Sequence, residues 1–290
     1  MPRRVEIILG PTGVGKTAYA INRAIEVGSP VIGCDSRQIY KELCIGTAAP
    51  SRREQAMVKH YFVRTVPITR GYTAGIYEAE ALELVKRLFD KGHEILVMCG
   101  GSMMYIDAFC YGLDDFPEVP LQLRQHLMEC LREDGVESLA AQLRELDPVS
   151  YEELDLSNGQ RVIRALEVSM FTGQPFSSFK TRRFKERDFE IVKIGLERPR
   201  EELYERINAR VLQMMRRGLE AEARRMLPYR DLPALQTVGY KEMFDYFDGV
   251  TDLEEAVRRI QVNTRHYAKR QLTWWRRDQA IKWINLSGRR

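Results

Sequence analysis

Gly10-Pro11-Thr12-Gly13-Val14-Gly15-Lys16-Thr17 completes the pattern G-x-x-x-x-G-K-T, and the apolar run Val5-Glu6-Ile7-Ile8-Leu9 stands directly before it. Strand, glycine-rich loop and helix therefore follow in the order a phosphate loop requires. A di- or triphosphate needs several converging donors at short range, and Gly10, Gly13 and Gly15 let the backbone approach without a Cβ in the way. The helix opening near Lys16 adds unpaired N–H groups and a positive dipole end. Lys16 adds a full charge, and the Thr17 hydroxyl is placed to ligate Mg²⁺. Residues Gly10 to Thr17, with Pro11, Thr12 and Val14 between the glycines, are thus the candidate diphosphate- or nucleotide-binding loop. The loop leaves open which bond of its ligand breaks.

After the loop, Thr17 to Val27 reads as a helix with Ala18, Ile21, Ala24 and Ile25 on one face, and Gly28 stops it. A buried strand at Val31 to Cys34 ends at Asp35. In an open α/β sheet the carboxyl ends of the strands face the ligand, so Asp35 is expected across from the phosphate loop, as a metal-side acid, a general base or a turn cap. Thr73 to Lys91 is a long amphipathic helix with Ile76, Ala79, Leu82, Val85 and Leu88 as its stripe, and Gly92 ends it. The strand Ile95-Leu96-Val97-Met98-Cys99 runs into Gly100-Gly101-Ser102, where a phosphate-loop ATPase would carry an acid for its magnesium. Two glycines there bring the backbone close to something, and Ser102 offers a hydroxyl.

Phe116-Pro117-Glu118-Val119-Pro120 is a rigid connector, and from Leu121 to about Thr172 the pattern is helical, with no strand-like run before Phe189. The fold class is α/β: a P-loop NTPase-like parallel sheet flanked by helices, with an inserted all-helical subdomain. Residues 1–115 and 189–290 form the expected catalytic core and 116–188 the insertion. Within it, Gly159-Gln160-Arg161-Val162-Ile163-Arg164-Ala165-Leu166-Glu167 buries Val162, Leu166 and Met170, and leaves Gln160, Arg161 and Arg164 for solvent or a polyanion. Lys180 to Arg187 holds Lys180, Arg182, Arg183, Lys185 and Arg187, a second candidate contact to a phosphate backbone. Phe189 to Leu196 returns the chain to the sheet, and Pro199 begins a helix with Arg206 and Arg210 on its polar side.

With 290 residues, 44% hydrophobic and 30% charged, the chain has the composition of a soluble globular protein with a sizeable core. No apolar run approaches the ~20 residues of a membrane span, so no membrane partner is expected and cytoplasmic location is the default. Five cysteines without a C-x-x-C pair and four scattered histidines predict neither a disulfide framework nor a zinc site. The net charge of +4 is unevenly spread: from Ala256 onward ten basic residues face Asp278 alone, a solvated face or a nucleic-acid surface. Trp274 and Trp275 in that stretch read as core anchors in preference to stacking platforms.

The ordered set of motifs closely resembles the tRNA dimethylallyltransferases, also called tRNA isopentenyltransferases. It comprises Gly10 to Thr17, Asp35-Ser36-Arg37-Gln38-Ile39-Tyr40 with Gly46-Thr47-Ala48-Ala49-Pro50, Gly100-Gly101-Ser102 with Tyr105, Arg161 to Val168, Val238-Gly239-Tyr240-Lys241-Glu242, and Thr264 to Trp274. The resemblance implies transfer of a dimethylallyl group from its diphosphate to N6 of the adenosine 3′-adjacent to the anticodon, in the anticodon stem-loop of tRNA. It makes Asp35 the base, gives Lys16, Ser102 and Arg210 catalytic parts with Mg²⁺ on Thr17, and sets Asp35, Ser36, Arg37, Gln38, Ser102, Arg124, Gln160, Arg161, Val162, Ile163 and Arg164 along the tRNA. Ala49, Ser102 and Met103 depart from the usual lysine, threonine and glycine. A bacterial-type enzyme is implied, since the chain stops at Arg290 without the zinc finger of eukaryotic members, and a monomer is expected. A small-molecule kinase holding ATP in the same loop is the rival, with an RNA-binding protein third.

Overall fold

Every residue of β1 (Arg4–Leu9) from Val5 onward is buried, which a strand can only be at the centre of a sheet covered on both faces. The computed structural model describes residues 3–181 and 184–288, and Arg182, Arg183, Arg289 and Arg290 of the basic stretches lie outside them. In chain order β1 is followed by α1 (Lys16–Glu26), β2 (Val31–Gly33), α2 (Arg52–Met57), β3 (His60–Tyr61), α3 (Ala74–Asp90), β4 (Ile95–Cys99) and α4 (Met103–Tyr111). Next come α5 (Leu121–Glu133), α6 (Gly135–Leu146), α7 (Pro148–Glu153) and α8 (Gly159–Thr172). The chain then runs through β5 (Glu190–Glu197), α9 (Arg200–Arg216), α10 (Leu219–Met226), α11 (Tyr240–Phe247), α12 (Leu253–Trp275) and β6 (Lys282–Asn285).

All pairings in the six-stranded sheet are parallel, in the order β3-β2-β4-β1-β5-β6. Ile8 stands opposite Cys99 on one side and Ile194 on the other, so the loop after β1 emerges in the middle of the sheet's carboxyl edge. That is where an open α/β sheet binds its ligand. Buried Ile8, Val14, Ala24, Val97, Leu203, Ile207 and Ala268 form one cluster under the loop. Buried Glu6, in the middle of β1, is compensated by Arg23 at 2.7 Å and Arg4 at 2.9 Å, and the Arg23 hydrogen bond holds its carboxyl below the usual range.

Two compact units result, one of Met1–Cys110 with Glu186–Arg290 and one of Tyr111–Lys185. Their joints fall a few residues before the expected 115/116 and 188/189. The α4 helix runs through the Phe-Cys-Tyr end of the core, and Lys185 N–H donates to Tyr111 O at 2.8 Å, closing the second unit on itself. Among its described residues the secondary structure is helical, with no strand. Leu127, Leu139, Leu143, Val162, Ile163, Leu166 and Phe176 form its core, and buried Asp147 accepts from Ser150 N–H and from both the N–H and hydroxyl of Ser177.

Several helix faces differ from the sequence expectation by about one position. The buried stripe of α3 is Tyr77, Ala81, Leu84, Val85 and Leu88, with Ala79 exposed, because Tyr77 and not Ile76 stacks into the aromatic cluster with Tyr105. In α1 the buried residues are Ala20, Ile21 and Ala24, and Ile25 is 54% exposed. Met170 in α8 is likewise exposed.

Candidate active site

The loop between β1 and α1 takes the backbone path its glycines allow, with φ of 142° at Gly10, 86° at Gly13 and 112° at Gly15. A Cβ on Gly10 would lie 2.5 Å from Leu196 O, so that position admits no side chain. Lys16 Nζ folds back to donate to Gly10 O at 2.8 Å and Pro11 O at 3.0 Å, which uses two of its three protons and leaves one for an anion. Around the loop stand arginines of the segment after β5. Arg198 donates to Val14 O at 2.9 Å, Arg206 to Gly13 O at 3.0 Å, and Arg210 to the Thr12 hydroxyl. Arg206 and Arg210 lie one helical turn apart on α9, so both guanidiniums reach the same loop.

Asp35 lies just past β2, facing the loop. Its Oδ1 accepts from Arg37 N–H at 2.9 Å and Gln38 N–H at 3.2 Å, and Oδ2 has no hydrogen-bond donor among the described residues. Gly101 separates the acid from the lysine: a methyl carbon built on it would sit 3.7 Å from Lys16 Nζ and 3.9 Å from Asp35 Oδ2. The two glycines after β4 are explained by close approach. A Cβ on Gly100 would meet Cys34 O at 2.2 Å, and one on Gly101 would meet Gln271 Nε2 at 2.6 Å. Ser102 is buried, accepts from Ser36 N–H at 2.7 Å and donates to the Ser36 hydroxyl at 3.0 Å, so it holds the turn after Asp35.

Two cavities open on this arrangement. One of about 710 Å³ is lined by the loop with Lys16 and Thr17, by Asp35, Gln38 and Gly101, and by Arg206 and Arg210. The other, about 600 Å³, is lined by Ser36, Arg37, Thr237, Lys241, Asn263 and Arg270 among others. Thr12, Asp35, Thr47, Arg210, Met214 and Tyr267 belong to both walls, so the cavities meet at Asp35. Ser102 lines neither, which leaves it support of the turn and not contact with a reacting atom.

Burial pushes the Lys16 ammonium down to about 8 and the Arg210 guanidinium to about 10, with Asp35 pulling both partly back. An anion beside Lys16 favours its charged form and so raises that value. Affinity for a diphosphate is therefore expected to be full below about pH 8 and to fall modestly as pH rises through the ligand-free value. Titrating an alkyl diphosphate, whose phosphates are already ionised, between pH 7 and 10 checks this by calorimetry; Lys16→Met should flatten the profile.

A model described as IPP transferase matches residues 38–278. The chain belongs to the IPP transferase family. It is 54% identical over 279 residues to tRNA dimethylallyltransferase 2 of Porphyromonas gingivalis, covering 96% of this chain and 93% of that protein. It is 49% identical to tRNA dimethylallyltransferase 1 of Bacteroides thetaiotaomicron, with 96% and 90% covered. Among solved structures, the full-length tRNA isopentenylpyrophosphate transferase of Bacillus halodurans superposes with a TM-score of 0.70 at 33% identity, covering 98% of this chain and 90% of that one. A eukaryotic dimethylallyltransferase acting on tRNA gives 0.79 at 23% identity, with 99% and 74% covered, a likeness of fold alone.

In this chain the sequence-predicted residues separate into two groups. Thr12, Gly13, Gly15, Lys16, Thr17, Asp35, Ser36, Arg37, Gln38 and Arg210 line the joined cavities, whereas Gly10, Pro11 and Val14 are buried and line neither, shaping the loop from below. Arg124, Gln160, Arg161 and Arg164 belong to the helical unit. There Arg124 at 3.1 Å and Arg164 at 2.7 Å both pair with Glu167, which is 1% exposed, so these arginines neutralise a buried acid and are not simply a free polar face. Val162 and Ile163 are fully buried, and their side chains pack the helix without reaching a surface ligand. Lys180 pairs with Glu153 and Lys185 with Asp115, while the half-buried Arg187 pairs with Glu78 at 2.9 Å and donates to Phe109 O and Ala108 O, so its guanidinium is committed within the protein. Trp275 is 2% exposed and Trp274 donates to Asp107 at 2.9 Å, as core anchors do. Gln271 and Tyr267 of α12 were not singled out by the sequence as site residues. Gln271 accepts from Thr12 N–H at 2.8 Å and donates to Gly101 O at 2.7 Å, stapling the loop to the turn after β4. Their only signal was membership of the Thr264–Trp274 segment.

Proposed function

We propose that this chain transfers a dimethylallyl group from dimethylallyl diphosphate to N6 of the adenosine 3′-adjacent to a tRNA anticodon, releasing diphosphate. The observation that carries this is one carboxylate, Asp35, in the shared wall of a phosphate-loop cavity and a second cavity rimmed by Arg37, Lys241 and Arg270. The first takes the diphosphate and the second the base. N6 is a poor nucleophile because its lone pair is delocalised into the ring, so Asp35 Oδ2 accepts its proton as the N–C bond forms, a role worth about 10²- to 10⁴-fold. The allylic C–O bond breaks, and the departing diphosphate carries the electron pair toward Lys16, the loop N–H groups and Arg210. The adenosine must leave its stack to enter, which costs a few kcal/mol and least in a loop.

Mg²⁺ fits the residues present, since the Thr17 hydroxyl lines the cavity and makes no hydrogen bond among the described residues, while no cluster of three His, Cys, Asp or Glu competes for a metal there. Bound to the diphosphate, it would neutralise charge on the leaving group, with Thr17 as its protein ligand. No helix among the described residues is long and apolar enough to cross a membrane. A cytoplasmic monomer accords with this reading.

The helical unit supplies part of the tRNA contact through Gln160 and Arg161, both exposed at the start of α8. Arg161→Ala is expected to weaken tRNA binding and flatten its salt dependence by about 0.7 to 0.9 in log–log slope, with the melting temperature unchanged. Arg124→Ala with Arg164→Ala should instead lower the melting temperature, because Glu167 is left buried and unpaired. A filter-binding salt series and thermal melts distinguish the two. The activity itself is tested by incubating the protein with tRNA, Mg²⁺ and dimethylallyl diphosphate without ATP. One diphosphate per five-carbon-modified adenosine supports the assignment, and phosphorylation of an acceptor that requires ATP overturns it in favour of a kinase.

A further inference from the structure

The turn after β2 that carries Asp35 is held by a second turn, and that one hangs on an acid far away in the chain. Glu222 of α10 is 2% exposed, and its carboxylate accepts from the N–H groups of Cys44 at 3.0 Å, Ile45 at 2.9 Å and Gly46 at 2.9 Å, and from the Tyr240 hydroxyl at 2.7 Å. Four donors converging on one buried carboxylate satisfy the hydrogen bonding of its oxygens. Gly46 is required by the same contact, since a Cβ there would lie 2.8 Å from the Tyr240 ring. Two residues on, Ala48 adopts φ of 50°, a left-handed conformation that a non-glycine residue keeps only when its surroundings over-determine it.

The strained segment presents two carbonyls to one side chain. Gln38 Nε2 donates to Thr47 O at 3.0 Å and Ala48 O at 3.2 Å, while Gln38 N–H donates to Asp35 Oδ1. A continuous chain of hydrogen bonds thus runs from Glu222 through the 44–48 turn and Gln38 to the oxygen of Asp35 opposite the one left free. We propose that Glu222 is a positioning residue for prenyl transfer: it sets the turn that fixes Gln38, and Gln38 aims the Asp35 carboxylate. Glu222 lines neither cavity, so it acts on the reaction only through the turn it holds, whose Thr47 and Ala48 carbonyls fix Gln38.

The test uses Glu222→Gln, which keeps the shape but puts an NH₂ against backbone donors. Amide hydrogen exchange should quicken about tenfold or more, by ~1.4 kcal/mol per tenfold, at Arg37 and Gln38 as well as at residues 44–46. The single-turnover rate at saturating substrates should fall about tenfold while the affinity for an alkyl diphosphate stays within about twofold, as expected of a misaimed base. Adding Gln38→Ala should slow the variant no further than the slower single change. If Glu222→Gln does not fold, Gly46→Ala displaces the same turn by its clash with the Tyr240 ring while keeping the Glu222 side chain, and should give the same pattern. Faster exchange confined to 44–46, or rate losses that multiply in the double variant, would overturn the proposal. The rate measurements rest on the prenyl-transfer reading and the exchange measurement does not: a wild-type protein without transferase activity faults that reading, while exchange at Arg37 and Gln38 still decides the role of Glu222.

Discussion

Asp35→Asn is expected to cut the single-turnover rate of prenyl transfer by about 10²- to 10⁴-fold while leaving affinities for tRNA and an alkyl diphosphate within a few fold. The amide keeps an oxygen for the Arg37 and Gln38 N–H groups, so the turn stays in place, but it cannot take the N6 proton. Asp35→Ala removes that oxygen as well and should abolish transfer. Rapid-quench measurement with saturating substrates reads the chemical step directly. Were Asp35 chiefly a metal ligand, raising Mg²⁺ would restore a good part of the Asn variant's rate. A missing base is not replaced that way, so a rate that stays low across the Mg²⁺ series is the expected result.

The loop and Asp35 were legible in the sequence because both are local features. The glycine spacing encodes a backbone path, and Asp35 directly follows a run of apolar residues too short to be anything but a buried strand. Arg206 and Arg210 could be assigned to a polar helix face, but not to Gly13 and Thr12, since nothing in the spacing within α9 records what the helix packs against. Gln271 and Glu222 were harder still. Each joins segments far apart in the chain through a buried hydrogen bond, and a lone glutamine or glutamate on a helix reads as surface. The same blindness hid Glu167, whose burial turns Arg124 and Arg164 from free charges into partners. Two strands escaped notice because β3 has 2 residues and β6 only 4, both at sheet edges, too short for any periodicity to show.

Lys16→Ala should lower kcat for transfer by about 10²- to 10³-fold, more than it weakens diphosphate binding. On the proposed reading the ground-state diphosphate already carries its charge and would be held by loop N–H groups, Arg210 and the end of α1, so one ammonium would be a modest part of that grip. As the allylic C–O bond breaks, a further negative charge grows on the bridging oxygen, and a donor aimed there gains strength only then. Lys16 is suited to this because its two bonds to Gly10 O and Pro11 O fix the ammonium before the ligand arrives. No reorganisation is needed at the moment of reaction. The lysine's lowered affinity for its proton, near 8, does not weaken the role at neutral pH, since the diphosphate raises it again on binding. Single-turnover rates and alkyl diphosphate affinities, measured on the same variant, separate the two effects. A loss confined to affinity, with the chemical step at the wild-type rate, would remove Lys16 from leaving-group stabilisation and leave the task to Arg210 and the loop backbone.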